Sequence, residues 1–355
     1  MSFESIGNLF SGEDPDYSPI ITAVVLTTAF LAVCILIPCS PSLLSFRKID
    51  DKAIPYTGTT SPAIESIIIY PVKSCAGISL PESEIVKTGL KFDRHWVIVG
   101  SDGRFRSQRR IPKMALITPS LPSDSSDLTL RAKDMPDISI PVIRACDKGA
   151  VIVDVGIWSD KWVGVDQGVE ISKWLSEFLK EPGLRLVRMD ESLIGRPTDS
   201  QYADGFLASF CDGFPFLLTS IESLEDLNRK TKEKIDMRQF RPNIVVRGAE
   251  KWAEDNWVEI SVNEVVFRIV KPCSRCSIPT INQDTGERMG KEPTNALGAF
   301  RKGKHLKLDD PKWAECVFFG QNVVSESCGS VKCGDRVKIL RVKKHLPTKG
   351  NKKND

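Results

Sequence analysis

Apolar residues fall into two patterns along this chain, one long N-terminal run and many short runs after it. Residues 1–19 are mostly polar and acidic, and no charged residue occurs within 17–46. The segment 20–38 is almost continuously apolar, which meets the roughly 20 residues that a membrane-spanning helix needs. Arg47 and Lys48 follow it, and the positive-inside rule then leaves the rest of the chain in the cytosol. We therefore expect a transmembrane anchor at 20–38, with a buried core helix as the alternative.

Short runs of β-branched, aliphatic and aromatic residues make up most of the remaining chain. A linker rich in Pro, Gly, Thr and Ser covers residues 39–62. The runs beyond it alternate with turn residues, which is typical of β-strands. They are Ile64–Tyr70, Val97–Val99, Leu128–Leu130, Ile138–Val142, Val151–Val155, Phe216–Leu218, Ile244–Arg247, Val258–Ser261, Val265–Val270, Val317–Phe319 and Val337–Val342.

Two segments have helical signals. Apolar residues spaced three and four apart predict an amphipathic helix over Val169–Leu179. Thr219 and Glu222 are spaced as a capping box, which predicts a second helix running to about Lys230. Residues 184–215 contain several Gly and Pro residues and have no clear period, so the boundary between two domains is placed there.

These elements predict an α+β fold that is mostly β. We expect a mixed α/β domain at 63–190 and a second domain at 191–343 whose strands close into a β-barrel. A basic tail at 344–355 follows them, and the transmembrane helix precedes them.

Composition excludes several classes of protein. The chain has 355 residues and a formal net charge of +3, which predicts no nucleic-acid partner. Ten scattered cysteines fit a reducing compartment better than a disulfide scaffold. With three histidines, no zinc-protease motif is present. The segment Gly286–Lys291 is one residue short of a phosphate-binding loop, and no Gly-x-Gly-x-x-Gly follows a strand.

The stretch Lys271–Cys276 carries the strongest chemical signal. It reads Lys-Pro-Cys-Ser-Arg-Cys and follows an apolar run, so we expect a loop leaving the end of a strand. Pro272 favours this interpretation because it lacks an N–H for a ladder. Two thiols beside Arg275 lie in a positive field that lowers a thiol pKa. Such a thiolate binds a soft metal or acts as a nucleophile.

Basic residues also occur at the junctions between other strands and loops. Lys73 follows the first strand, Arg94 precedes Trp96, and Arg241 precedes a Pro-Asn pair. One such residue is usually just solvated. Together with Arg275 they are better explained as an anion site, because guanidinium forks bind phosphate in a bidentate manner.

A set of motifs, taken in chain order, resembles the MOSC-domain molybdenum cofactor family. With the N-terminal anchor, the chain is most similar to its mitochondrial amidoxime-reducing branch. The resemblance covers about residues 64–342. The motifs are Ile69-Tyr70-Pro71-Val72-Lys73-Ser74-Cys75, Asp93-Arg94-His95-Trp96, Asp212-Gly213-Phe214-Pro215, Phe240-Arg241-Pro242-Asn243, Cys273-Ser274-Arg275-Cys276, Asp284-Thr285-Gly286 and Phe319-Gly320-Gln321.

The resemblance implies a function and a set of site residues. It implies a molybdenum cofactor that reduces N-hydroxylated substrates, with electrons from NADH through cytochrome b5 reductase and cytochrome b5. Cys276 would be the molybdenum ligand and catalytic centre, and Cys273 would be structural. A mitochondrial outer membrane location is implied, with the endoplasmic reticulum as the other candidate, and a pyridoxal phosphate term accompanies the family. The residues that would hold the pterin and its phosphate are Lys73, Ser74, Arg94, Asp212, Gly213, Arg241, Asn243, Ser274 and Arg275.

Two alternatives stay open at this point. MOSC domains are also used for sulfur transfer, through a cysteine persulfide or a sulfurated cofactor. The other alternative is a non-enzymatic binding module stabilised by zinc, since two pairs of nearby cysteines match zinc-ligand spacing loosely. Its ligands would be Cys273, Cys276, Cys328 and Cys333.

Overall fold

Short β-strands dominate the computed structural model, which describes residues 53–121, 126–190, 192–193 and 195–344. The strands of this part of the chain, β1 to β21 in order, are Ala53–Pro55, Ala63–Ile69, Ile78–Leu80, Glu82–Val86, Gly89–Leu90, Trp96–Val99, Thr118–Ser120, Asp127–Arg131, Ile138–Pro141, Ile152–Ile157, Asp160–Asp166, Arg185–Arg188, Arg196–Pro197, Leu207–Ala208, Phe216–Ser220, Ile244–Arg247, Trp257–Val262, Val265–Ser274, Phe318–Ser325, Gly329–Lys332 and Val337–Lys343. The helices α1 to α4 are Val169–Leu179, Ser200–Ala203, Ile221–Asn228 and Thr294–Phe300. Short 3₁₀ turns are Pro112–Leu116, Met237–Gln239, Ala253–Asp255, Ile278–Thr280 and Pro311–Trp313.

A nine-stranded sheet forms the main frame, with the strand order β1-β21-β17-β18-β19-β15-β16-β2-β3. Its edges, β1 and β3, are three residues each and do not pair with one another. Closure into a barrel requires the last strand to hydrogen-bond to the first. Within the described residues the sheet is open, and the predicted C-terminal β-barrel is wrong. Pro55 at one edge lacks the N–H for a further ladder, which is a common way to end a sheet.

Strand β2 brings the N-terminal segment into this sheet. It pairs antiparallel with β16, with Ile67 opposite Ile244, and β16 runs parallel to β15. The end of β2 therefore lies beside the chain that enters β16, and the amide of Ile68 donates to the carbonyl of Asn243 at 2.9 Å. Apolar side chains of these strands form the core of the sheet, including Phe216 and Phe267, whose rings meet edge to face. The predicted division into 63–190 and 191–343 stays a prediction.

A second sheet and helix α1 support the other side of the site. The four strands lie in the order β10-β11-β12-β6, and Trp96 in β6 faces Arg188 in β12. The predicted helix is confirmed at Val169–Leu179. Its buried face includes Trp174 and Phe178, whose rings stack at a centroid distance of 5.6 Å. The start of β6 is tied to the loop after β2, because the amide of Trp96 donates to the carbonyl of Pro71 at 3.0 Å.

Lys271–Ser274 belongs to a strand, which corrects the predicted start of the loop, whereas Arg275 and Cys276 follow the end of that strand as predicted. Strand β18 continues through Pro272 to Ser274 and pairs with β19 throughout. The register shifts twice, between Ile269 and Lys271 and again between Pro272 and Ser274. Such register shifts allow a proline within a strand and change the direction of the neighbouring side chains. They turn this end of β18 toward the candidate site.

Helix α3 begins one residue later than predicted. Its N-cap is Ser220, whose hydroxyl accepts a hydrogen bond from the amide of Ser223 at 3.1 Å. Thr219 lies within β15, and the carboxylate of Glu222 accepts a hydrogen bond from Gly248 instead. The predicted capping box of Thr219 and Glu222 is therefore wrong, although the helix is present.

The predicted anchor at 20–38 lies outside the described residues, as do the N-terminal segment 1–19 and most of the tail. No helix among the residues described here is both long and apolar enough to cross a membrane.

The buried carboxyl of Glu254 should make stability depend on pH. Its side chain lies in the turn Ala253–Asp255 and is 1% exposed. Burial raises the pKa of Glu254 to about 7 from 4.5. A carboxyl with a raised pKa stabilises the fold below its unfolded pKa, and this contribution is lost as pH rises through the folded pKa. We expect the free energy of unfolding to fall by about 2–3 kcal/mol between pH 4.5 and pH 7 through this group.

Glu254→Gln should remove that fall, because a neutral amide has no proton to lose. Urea unfolding of both proteins across this pH range measures the difference. Equal pH dependence in the two proteins would contradict the assignment.

Candidate active site

A cavity of about 520 Å³ lies where the ends of β2, β16 and β18 meet. This volume is in the usual range for a cofactor or substrate site. All ten residues singled out from the sequence line it, although they come from five separate segments of the chain. They are Lys73, Ser74, Arg94, Asp212, Gly213, Arg241, Asn243, Ser274, Arg275 and Cys276.

Two guanidinium groups stack on one buried tyrosine at this cavity. The Cζ atoms of Arg94 and Arg241 lie 4.3 and 4.1 Å from the ring centroid of Tyr70. The backbone φ angles of these arginines are 51° and 58°, and that of Ser74 is 68°. Positive φ is uncommon for residues other than glycine and often marks a functional site. Arg94 also donates to Asn243 Oδ1 and to the carbonyl of Arg241, each at 3.1 Å.

The two arginines differ in how their charge is balanced. Arg94 forms a salt bridge of 2.6 Å with the buried carboxylate of Asp93. Arg241 forms no ion pair with any acidic residue of the described chain, and its Nη1 donates to the carbonyl of Cys75 at 2.7 Å. Its Nη2 is buried without a hydrogen-bond partner in that same part of the chain. Burial lowers the pKa of Arg241 to about 10. A buried cation without a counter-charge is costly, so this position fits an anionic group.

Lys73 extends the positive wall of the cavity. Its ammonium is buried and donates to Asp212 Oδ1 and to the carbonyl of Phe210, each at 2.7 Å. Burial lowers the pKa of Lys73. Asp212 is shared, since the indole N–H of Trp158 also donates to it at 3.2 Å and Arg109 lies 4.0 Å away. This acid therefore holds three donor groups at the rim of the cavity.

The two thiols have different surroundings. Cys276 is half-buried, and its Sγ accepts a weak hydrogen bond from the amide of Ile278 at 3.4 Å. Cys273 Sγ accepts from Arg275 Nη1 at 3.1 Å, while Arg275 Nη2 donates to the carbonyl of Phe240 at 2.8 Å. The Nε of Arg275 is buried and finds no partner among the described residues. Cys276 thus has a sulfur open to a metal, whereas the sulfur of Cys273 faces a guanidinium.

The sequence analysis missed several residues that line the cavity. Lys271 was predicted only as the first residue of the stretch that contains the thiols, and its place in the cavity wall was not predicted. Of the other lining residues that were not predicted, Cys211 and Phe214 adjoin Asp212 and Gly213 in the chain, and the rest carry no local signal because tertiary packing brings them to the cavity. These other residues are Arg109, Trp158, Cys211, Phe214, Trp313, Cys316 and Asn322.

The alternative zinc site is not formed. In the described ranges, no group of three or more His, Cys, Asp and Glu side chains is placed to hold a metal ion. Cys333 is exposed, and its thiol contacts the carbonyl of Leu80, outside the cavity. A zinc-stabilised binding module therefore finds no support in the geometry.

Comparison with known proteins identifies the family. Residues 61–182 match the MOSC N-terminal beta barrel domain, and residues 208–338 match the MOSC domain. The chain is 33% identical to human mitochondrial amidoxime-reducing component 1 over 294 residues, which cover 78% of this chain and 82% of that protein. The chain belongs to the amidoxime-reducing component family of MOSC-domain proteins.

Other relatives in this family agree. Identity to rat mitochondrial amidoxime reducing component 2 is 33% over 77% of this chain and 82% of that protein. Identity to mouse mitochondrial amidoxime-reducing component 1 is 31% over 78% of this chain and 82% of that protein. These names describe mitochondrial proteins with a reductase activity, and none of them mentions pyridoxal phosphate.

The cavity fits the cofactor class that MOSC domains bind, the molybdenum cofactor. An anionic phosphate would satisfy the unpaired guanidinium N–H groups of Arg241 and Arg275. A soft metal would suit the thiolate of Cys276. The cavity therefore offers guanidinium N–H donors for the phosphate of the cofactor and a thiolate for its metal.

Proposed function

We propose that the chain is a membrane-anchored molybdenum cofactor enzyme that reduces N-hydroxylated, amidoxime-type substrates. One observation carries the proposal: a buried, uncompensated guanidinium, Arg241, shares a cavity with a half-buried thiol, Cys276. Electrons would come from NADH through cytochrome b5 reductase and cytochrome b5. The mitochondrial names of the relatives support a mitochondrial location. The proposal places the anchor in the outer membrane, with the catalytic part facing the cytosol.

In this proposal, basic residues of the chain bind the phosphate of the cofactor, and Cys276 binds its metal. Arg241, Arg275 and Lys73 supply the positive charge that binds and orients a phosphate group. Asn243 is 2% exposed and fixes Arg94 by accepting its hydrogen bond. Cys276 would bind the metal through its thiolate. When bound, the cofactor supplies the two-electron reduction that cleaves the N–O bond.

Aromatic residues contribute to the wall of the cavity. Trp158 lies under the guanidinium of Arg109 at 4.2 Å, and Phe214 and Trp313 also line the cavity. Displacing water strengthens the interaction of the positive wall with bound anions.

A reconstituted assay tests the proposal. The full-length protein is purified with its cofactor and mixed with cytochrome b5, its reductase, NADH and benzamidoxime. We expect benzamidine to form with matching NADH oxidation, and neither to occur when cytochrome b5 is left out. Molybdenum-loaded protein that consumes no NADH under these conditions would refute the proposal.

Sulfur transfer is the second candidate, and one contact favours it. Arg275 Nη1 donates to Cys273 Sγ at 3.1 Å, an arrangement that stabilises a thiolate or a persulfide. Variants of the two cysteines separate this candidate from the reductase.

The anchor should be separable from catalysis. Deleting residues 1–48 leaves β1 intact, because that strand starts at Ala53 and pairs with β21 through Lys343. We expect the shortened protein to be soluble, to keep its molybdenum content and to unfold at the same temperature as the full chain in detergent. Aggregation of the shortened protein alone would mean that residues 20–38 belong to the core.

A further inference from the structure

The ammonium of Lys271 is held among three aromatic rings at the cavity. Its Nζ lies 4.0 Å from the ring centroid of Tyr202, 4.6 Å from that of Trp313 and 5.5 Å from that of Phe214. The indole N–H of Trp313 donates to the hydroxyl of Tyr202 at 3.2 Å, which fixes two of these rings relative to each other. Lysines usually extend their ammonium into water. This one is half-buried against rings.

No carboxylate of the described residues is in direct contact with the ammonium of Lys271, and Asp199 attracts it only from a distance. Within the described residues its ammonium takes part in no ion pair and no hydrogen bond. The neighbouring Lys312 differs, because it is paired with Asp310 at 2.8 Å and its side chain is 52% exposed. Burial lowers the pKa of Lys271. Its three N–H donors are thus available to a ligand at the cavity wall.

The position of Lys271 ties it to the reacting end of the cavity. It lies in β18 two residues before Cys273, and it faces Asn322 across the β18–β19 ladder. Lys271, Phe214, Trp313 and Asn322 all line the cavity that contains Cys276. The arginines that stack on Tyr70 form a separate cluster. The lysine cluster is therefore a second polar feature of this cavity, beside the one that fits the cofactor.

We propose that Lys271, Phe214 and Trp313 form a substrate subsite that selects planar N-hydroxylated compounds bearing a carboxylate away from the N–O group. This inference rests on the proposed reductase function. The rings contact the flat apolar part of the substrate, and the ammonium donates a charge-assisted hydrogen bond to its carboxylate. Such bonds are about twice as strong as neutral ones. The rings restrict the lysine beforehand, so little side-chain entropy is lost on binding.

Selectivity between two matched substrates tests the subsite. The full-length, cofactor-loaded protein is assayed with benzamidoxime and with 4-carboxybenzamidoxime. We expect the wild type to have the higher kcat/KM for the carboxylated compound. Lys271→Met should lower the ratio of the two kcat/KM values at least tenfold, mainly through KM for the carboxylated compound. Lys271→Arg should restore most of the ratio, and the control Lys312→Met should leave it within twofold.

Binding without turnover provides an independent readout. The product 4-carboxybenzamidine has no N–O bond, and its Kd is measured by calorimetry on the same proteins. We expect Lys271→Met to weaken this binding at least tenfold and Lys312→Met to leave it unchanged. The molybdenum content of all variants should equal that of the wild type.

The outcomes separate the subsite from the reductase proposal. If neither substrate is reduced, the reductase function fails, while calorimetry still decides whether Lys271 binds the carboxylate. If both substrates are reduced but Lys271→Met changes neither the ratio nor the Kd, the subsite is refuted. Loss of molybdenum in Lys271→Met would also refute it, because the lysine would then belong to the cofactor site.

Discussion

Arg241→Met should strip the protein of its cofactor without unfolding it. Molybdenum content is expected to fall at least tenfold, because the substitution removes a buried cation of the cavity that forms no ion pair with any carboxylate of the described residues. A charged hydrogen bond to phosphate at such a site is worth about 1.5–3 kcal/mol, or roughly a factor of ten or more in affinity. Methionine keeps the apolar length that packs against Tyr70. Metal analysis and pterin fluorescence of the purified variant measure the loss.

The stability of the apo protein should change little. A buried guanidinium without a counter-charge destabilises the empty fold, and its removal offsets the lost hydrogen bond to Cys75. We expect the free energy of unfolding of apo Arg241→Met to lie within about 1–2 kcal/mol of the wild type. Arg238→Met is the matched control, since Arg238 is half exposed and paired with Asp284 at 2.9 Å. Equal molybdenum content in both variants would return Arg241 to a purely structural role.

Cys276→Ser should abolish N-reduction while the pterin stays bound. Serine has nearly the size of cysteine, but it replaces a soft thiolate with a hard and largely protonated hydroxyl. The guanidinium groups of Arg241 and Arg275, which we propose hold the phosphate, are untouched by this change. We expect activity to fall by about a hundredfold or more, the range in which altering the coordination of a metal costs several kcal/mol. Electron paramagnetic resonance of the metal and pterin content provide the two readouts.

Cys273→Ser is the control for the same experiment. Its sulfur faces Arg275, so we expect the milder loss of activity and an unchanged metal spectrum. A sulfur carrier would behave differently: Cys276→Ser or Cys273→Ser would then remove cyanolysable sulfur and leave any metal signal alone. If Cys273 proved essential and Cys276 dispensable, the assignment of the metal ligand would be wrong.

Local sequence patterns predicted the helices and strands of this fold better than they predicted whether the main sheet closes into a barrel. The helix Val169–Leu179 has a complete apolar face, and strand β16 is bounded as predicted at Ile244–Arg247. The open sheet was missed because closure depends on which strands pair over long distances. No local pattern states that β2 inserts beside β16 or that β1 pairs with β21. Strand β12 was missed as well, since its four residues lie between glycines and prolines that read as irregular chain.

Sequence motifs predicted which residues form the site, whereas the ion-pair and hydrogen-bond partners of each side chain were seen only in the structure. Spacing and the family resemblance singled out residues that share one cavity, but they did not distinguish Arg94, paired with Asp93, from the unpaired Arg241. That difference depends on side-chain contacts. Lys271 and Pro272 were read as a loop because proline usually ends a strand, and the register shifts of β18 override this preference. Trp313 was not predicted because its approach to Lys271 depends on tertiary packing.

The pairing of β1 with β21 sets the order of events during synthesis of the protein. Ala53 lies opposite Lys343, so an edge of the main sheet is completed by nearly the first and nearly the last described residues. Contacts of such large sequence separation form late and make folding slow. Nearly all of the described chain must therefore be synthesised before β1 and β21 can pair. Until that pairing forms, the edge of β21 stays exposed, and an unpaired strand edge makes an incompletely folded chain prone to aggregation.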